Sequence, residues 1–336
     1  MRFSLLQKWP RGMGVCASFA PLVLACSAPL ASPGGSDSVE RDAAEGASSA
    51  ALVVVERTVT ADDATHGSAV ARFVRMRTGS VDDATLRMVG ATLDLPAMGT
   101  CARAGDSPAF TEVSADGPRA VELLDVGNLA IEANGARSVL EARALPDIVD
   151  LVTGVLYSAR ASLPGGHSAE ADLEGIPAHA AYVLRASGRE AGEHGVPAFA
   201  VSATAPSEPE QLRIEGQDAR SDGGVVLTAG GQVELAWASA SAPSTGVDPD
   251  DVVYVELMSD SSGESATNVR CLFADRGEAV IPPSAFVASH VETGDSEMTR
   301  GTIAVHRVHR ETFQVSGIES GVIRFDFARA AEFSRR

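Results

Sequence analysis

Lysine is nearly missing from this chain. Lys8 is the only one in 336 residues, and every other basic residue is Arg. Asn is scarce, while Ala, Gly and Arg abound. A GC-rich coding sequence imposes that bias, so Arg abundance is no sign of phosphate or carboxylate recognition. Without lysine beyond residue 8, a Ser-x-x-Lys nucleophile pair has no base. The Gly-x-Ser-x-Gly elbow is missing too; Gly317-Ile318-Glu319-Ser320-Gly321 has its Ser one place late. No Gly-rich phosphate loop precedes a helix. Aromatics are few, with 11 Phe, 3 Tyr and 2 Trp, a thin supply for a sugar-stacking platform. An acid pair for glycoside hydrolysis has no motif by which to find or dismiss it. Basic charge is short: 27 Lys and Arg face 45 Asp and Glu, a net charge of −18. Such a polyanion does not bind nucleic acid or anionic lipid by general electrostatics. A sustained 3.6-residue apolar period is also lacking over residues 51–206, which argues against helices there.

What is present begins with an address. Arg2, Lys8 and Arg11 precede a short apolar run from Gly12 to Ala25. The run is shorter than the roughly 20 residues of a bilayer-spanning helix. A basic start, a short apolar run and small residues at its end make an export signal. Its exit, Val23-Leu24-Ala25-Cys26, resembles the bacterial lipoprotein signal, with Leu24 larger than the usual occupant. That resemblance implies cleavage before Cys26, a diacylglycerol on its thiol and an acylated new amine. Several acyl chains, at about 0.8 kcal/mol per buried CH₂, hold a protein on a membrane where one does not. Ser27 rather than Asp after the Cys resembles the outer-membrane pattern of Gram-negative lipoproteins. The alternative is an ordinary secretory signal cut after Ala28, leaving a periplasmic or secreted soluble protein. Loss of residues 1–25 removes three basic and no acidic residues, for a mature net charge of −21.

Residues 26–50 are Ser, Ala, Gly, Pro and acid, and bury too little to offset their ordering entropy. They read as a flexible tether. Strands are expected from Leu52-Val53-Val54-Val55 onward: Val70 to Met76, Thr85 to Val89, Thr92 to Leu95, and Val121 to Leu123. Asn134-Gly135 between Ile131 and Val139 predicts a hairpin, because both positions tolerate positive φ. Gly154 to Tyr157, Tyr182 to Ala186 and Phe199 to Val201 follow, and Leu145 to Val152 is the best place for a short helical turn. Two prolines and two acids in Ala205–Glu210 suggest a domain boundary. Beyond it come strands at Val233 to Trp237, Val253 to Leu257, Val269 to Phe273, Ala279 to Ile281, Thr302 to Val308 and Val322 to Phe327. Trp237 is a core anchor, and Pro282 to Ala288 a single helical turn. In the last strand Ile323, Phe325 and Phe327 should face the core, and Arg324 and Asp326 solvent. The expected fold is therefore all-β, with two β-sandwich-like domains after the signal and tether. These are an N-terminal β domain over 51–206 and an immunoglobulin- or fibronectin-III-like sandwich over 207–332.

Cys16 leaves with the signal and Cys26 is the acylation site, so Cys101 and Cys271 remain. In an oxidising compartment they form either a disulfide or two separate thiols. Candidate metal ligands are of two kinds. His167 and His179 flank Glu170, Asp172 and Glu174 in one long loop, where imidazole and carboxylate suit Zn²⁺. Asp248, Asp250 and Asp251 offer hard oxygen to Ca²⁺, though Asp-Pro-Asp is also plain turn chemistry. His306 and His309 are three apart, which on a strand puts them on opposite faces at a solvated strand end.

The whole arrangement resembles lipoproteins of high-GC Gram-negative bacteria. The resemblance rests on the lipobox, the tether, Leu124-Asp125-Val126-Gly127-Asn128-Leu129 and Cys271-Leu272-Phe273-Ala274-Asp275-Arg276-Gly277-Glu278-Ala279-Val280-Ile281-Pro282. That group carries no assigned reaction, so it transfers no functional residue. The expectation is a non-catalytic, lipid-anchored protein of the outer membrane with no cofactor beyond the lipid. Its sandwich domains would meet a protein or glycan of the envelope. The alternatives are a carbohydrate- or Ca²⁺-binding module and an unrecognised secreted hydrolase.

Overall fold

The computed structural model describes residues 48–76, 81, 93–103, 121–148, 152–159, 176–189, 195–221, 223–239, 251–259, 268–288, 296–297 and 300–336. The signal, Cys26 and residues 85–89 lie outside them. The described chain is almost entirely strand. In order these are β1 (Ser49–Val59), β2 (Thr65–Met76), β3 (Cys101–Arg103), β4 (Val121–Leu123), β5 (Leu129–Ala133), β6 (Ala136–Ile148) and β7 (Val152–Ala159). Then come β8 (Ala181–Ala186), β9 (Phe199–Thr204), β10 (Arg213–Ile214), β11 (Gln217–Asp218), β12 (Val225–Leu227) and β13 (Val233–Ala236). The last are β14 (Val252–Ser259), β15 (Asn268–Ala274), β16 (Glu278–Ile281), β17 (Val287–Ala288), β18 (Ser296–Glu297), β19 (Arg300–Val315) and β20 (Ile318–Arg335). One 3₁₀ turn, Pro283–Phe286, fills the expected helical position before β17.

Fourteen strands form one mixed sheet in the order β3-β15-β14-β19-β20-β1-β2-β4-β7-β6-β5-β8-β9, with β12 also on β20. A second sheet has the order β11-β10-β13-β16, and among the described residues β17 pairs only with β18. The hairpin expected at Asn134-Gly135 joins β5 to β6, with φ of 48° and 81° at its two turn residues.

Two cores sit on this framework. The first collects Val53 and Val55 of β1, Ala71 and Phe73 of β2, Leu129 and Ile131 of β5, Leu184 of β8, and Phe325 and Phe327 of β20. The second lies between the β15-β14-β19 end of the large sheet and the small sheet. It holds Val253, Val255, Val305, Leu235, Trp237, Ile281 and Phe333. Ala205 is in the first core and Leu212 in the second, so the core changes between the two sides of the expected 206/207 boundary. β19 and β20 belong to both; β19 gives Phe313 to the first and Ile303 and Val305 to the second. β20 spans about 60 Å at roughly 3.3 Å per residue. Its Ile323, Phe325 and Phe327 serve the first core and its Ala331 and Phe333 the second. β1, from the first segment, pairs in parallel with β20, from the last.

Several expectations need correction. Leu145 to Val152 is not helical: β6 runs through Ile148, with a register shift between Leu145 and Ile148, and β7 starts at Val152. Residues 93–96 alternate in sequence yet form no strand; Leu93 and Leu95 pack instead on Val252, Tyr254, Leu272 and Val308. The tether ends slightly earlier than expected, since β1 opens at Ser49. β20 is not half-buried, because Arg324 and Asp326 are only 4% and 5% exposed. Alternation predicts opposite faces, not which face meets water, and here both are covered.

Candidate functional site

β19 carries the chemistry-bearing residues. In Val305-His306-Arg307-Val308-His309-Arg310, polar groups fall on both faces, and all of them are mostly covered. The solvated strand end expected for His306 and His309 is therefore not what forms. They do point to opposite faces.

On one face His306 stacks on Tyr254, with ring centroids 4.2 Å apart and an interplanar angle of 15°. Its Nδ1 lies 2.7 Å from Asp326 Oδ1, and the Tyr254 hydroxyl donates to Asp326 Oδ2 at 2.7 Å. Glu256, its Oε2 4.0 Å from His306 Nε2, accepts from Asn268 Nδ2 and Arg270 Nε at 2.7 and 3.0 Å. Burial pushes Asp326 up, but His306 and its hydrogen bonds outweigh burial and hold it below the usual carboxylate range. Burial, and then the Asp326 charge, push Tyr254 well above its ordinary value. The result is an ionised Asp326 between two aromatic rings, closed from solvent.

The other face holds Arg307, which is fully buried. Its Nε donates to Asp275 Oδ2 at 2.7 Å. One terminal nitrogen donates to Ser207 O, Ser207 Oγ and Glu208 O at 2.9, 2.7 and 3.1 Å, and the other to Ala238 O at 2.6 Å. Asp275 also accepts from Trp237 Nε1 at 2.7 Å. Beside it, Glu208 takes Arg57 at 3.1 Å and Arg329 at 3.0 Å. The proline- and acid-containing segment 205–210 is thus pinned between the two cores rather than hanging as a linker. On the same face His309 Nδ1 sits 2.5 Å from Asp251, and its Nε2 is 3.6 Å from Glu311. The Asp251 hydrogen bond, working against burial and aided by the Glu311 charge, raises His309 above its ordinary value.

The sequence-selected residues scatter. Cys26, His167, Asp248 and Asp250 lie outside the described residues. Asp251 is engaged by His309. His179 is exposed at the start of β8 with φ of 53°, its backbone N–H bonded to Pro206 O. Among the described residues no group of three His, Cys, Asp or Glu side chains is placed to hold a metal ion. Cys101 and Cys271 are joined in a disulfide across the β3–β15 pair, with Cα atoms 4.0 Å apart. It ties the edge of the second sandwich to a segment 170 residues earlier.

Sequence reasoning missed Arg307, Asp275, Tyr254, Glu256 and Asp326. A signal existed: adjacent polar residues at 306–307 and 309–310 force a polar group onto whichever face turns inward. It also missed a surface hollow. A hollow of about 760 Å³ lies beside the small sheet, lined by Met98, Arg213, Glu234, Phe273, Glu278 and Val280 among others. Met98 and Val280 are 44% and 48% exposed, unusual for large apolar side chains.

No protein family matches this chain, and no curated protein matches it. Among solved structures it can be overlaid on the Fcho1 Mu homology domain of Danio rerio with bound Eps15 peptide. That overlay covers 87% of this chain and 99% of that one, at 14% identity and a TM-score of 0.22. So loose an overlay assigns neither fold family nor role.

Proposed function

We propose that the protein is a lipid-anchored component of the outer membrane that acts by binding a neighbouring envelope protein or glycan, without catalysis. The observation that carries this reading is where the ionisable side chains go. Tyr254 and His306 both bond Asp326 on one face of β19, where Asn268 and Arg270 bond Glu256, and on the other face Arg307 bonds Asp275 and Arg329 bonds Glu208. These groups hold sheets together, while apolar Met98 and Val280 reach the surface at the hollow beside the small sheet. The Cys101–Cys271 disulfide supports the export half of the reading, since such bonds persist in oxidising compartments. The lipid on Cys26 is the one non-protein group required.

The test is mass analysis of Cys26 with fractionation of inner and outer membranes, alongside a broad hydrolytic substrate screen of the full chain. Expected are acyl chains on Cys26, outer-membrane recovery and no turnover. An intact leader on cytosolic protein would overturn the address, and saturable turnover would overturn the non-catalytic role.

A further inference from the structure

The Cys101–Cys271 disulfide fastens a strap. Residues 93–103 cross the β15-β14-β19 end of the large sheet on the face away from the second core. Leu93 and Leu95 pack there on Val252, Tyr254, Leu272 and Val308. Further along, the Gly99 N–H donates to Leu272 O at 2.7 Å, and the Leu272 N–H donates to Thr100 O at 3.0 Å. β3 then pairs with β15 over three residues, and Arg103 donates to Val287 O at 2.6 Å. No residue of the strap is fully buried, and Asp94 and residues 97–100 are exposed. A backbone hydrogen bond returns, net of water, no more than the entropy of fixing one residue. Eleven residues are fixed here by two leucines and a handful of such bonds. Without a covalent tie the strap therefore sits near balance between closed and open. The tie is placed where a reductant meets it. β3 ends the large sheet among the described residues, and Cys101 is half-buried while Cys271 is fully buried.

We propose that the Cys101–Cys271 disulfide is a redox latch: a dithiol reductant opens it at Cys101, and the strap 93–103 then lifts from Val252, Tyr254, Leu272 and Val308. One thiolate of the reductant attacks Cys101 Sγ, the protein S–S bond breaks, and Cys271 leaves as a thiolate that takes up a proton. The reductant's second thiol gives up its proton and attacks the mixed disulfide. That closes the reductant's own S–S bond and frees Cys101, which takes up the second proton. Two electrons and two protons thus pass from the dithiol to the two cysteines. Lifting the strap takes two leucines from the cover of Tyr254, whose hydroxyl donates to Asp326 beside His306. One bond at the sheet margin thereby controls the cover over an ionised carboxylate. The latch goes beyond the binding role proposed above and does not depend on it.

The experiment uses the native full chain in detergent, oxidised or held in dithiothreitol, a simple dithiol. Alkylation and peptide mass report the state of Cys101 and Cys271. Hydrogen–deuterium exchange over residues 93–103 should quicken on reduction at least about tenfold more than exchange over the β5–β6 hairpin, a tenfold bias toward the closed strap being lost. Trp237, in the second core, should keep its emission. The native chain is compared with itself, so no substituted chain has to fold. Three results would overturn the proposal. The first is both cysteines reduced with no quickening over 93–103. The second is equal quickening in strap and hairpin with a shift in Trp237 emission, which makes the bond a staple for the whole fold. The third is a bond that resists dithiothreitol until urea unfolds the chain. Each of these leaves the binding role standing, since that role is judged on Cys26 acylation and turnover.

Discussion

Replacing Arg307 by Met should be among the most damaging single changes in the second half of the chain. Arg307 is fully buried and bonds three separate segments: Asp275 after β15, Ser207 and Glu208 between the cores, and Ala238 after β13. Met fills much of the volume but donates nothing. Asp275, 5% exposed, loses its guanidinium partner though it keeps the Trp237 indole, and the carbonyls of Ser207, Glu208 and Ala238 each lose a donor. One orphaned buried polar group costs roughly 1–3 kcal/mol. Such terms do not add within a network, and breaking one buried ion pair costs about 3–5 kcal/mol in all. We expect a loss of about 4 kcal/mol, a large part of the 5–15 kcal/mol a domain typically has. Trp237 is the only Trp after residue 9 and touches the site, so its fluorescence during urea unfolding reads the loss directly. Arg307→Met with Asp275→Leu removes both charges and should recover a substantial part of the deficit, because a buried pair is often replaceable by apolar groups. A loss below about 1 kcal/mol for Arg307→Met, the level of a surface pair, would refute the reasoning.

Three further outcomes are expected. Replacing Cys101 and Cys271 together by Ala frees a loop of 170 residues and should cost up to about 5 kcal/mol on the chain-entropy account, read as a fall in urea midpoint that reductant reproduces in the native chain. His309, raised by Asp251 from its ordinary 6.5, keeps in the folded chain a proton that the unfolded chain gives up sooner. Its contribution is therefore complete below the unfolded value and lost as pH rises through the folded one, and His309→Gln should flatten stability across that window; an unchanged profile would dismiss the pair. Gly154→Ala should destabilise by more than about 1 kcal/mol in thermal melts, since Gly154 has φ of 128° and an added Cβ would sit 1.9 Å from Leu123 O.

The strands were legible where one face is apolar and the other polar. β13 reads Val233-Glu234-Leu235-Ala236 and buries every second residue, as its pattern says. The β5–β6 hairpin was legible from two turn residues, because positive φ has a short list of tolerant side chains. What was not legible is pairing at a distance. Nothing in Ser49–Val59 says that its parallel partner begins some 270 residues later, and nothing in Arg307 names acceptors near 207, 238 and 275. Buried charge was misread for the same reason: Arg324 and Asp326 look like solvent-facing residues until a second layer covers them.

β20, which follows every other described strand, lies in the middle of the large sheet, between β19 and β1. Synthesis therefore supplies this keystone after both of its sheet neighbours. Until Phe325, Phe327 and Phe333 emerge, neither hydrophobic core can close, and β1 lacks one of its two neighbours. A nascent chain stays open until β20 is made, and deleting Ile318–Arg335 would leave both lobes without the strand they share.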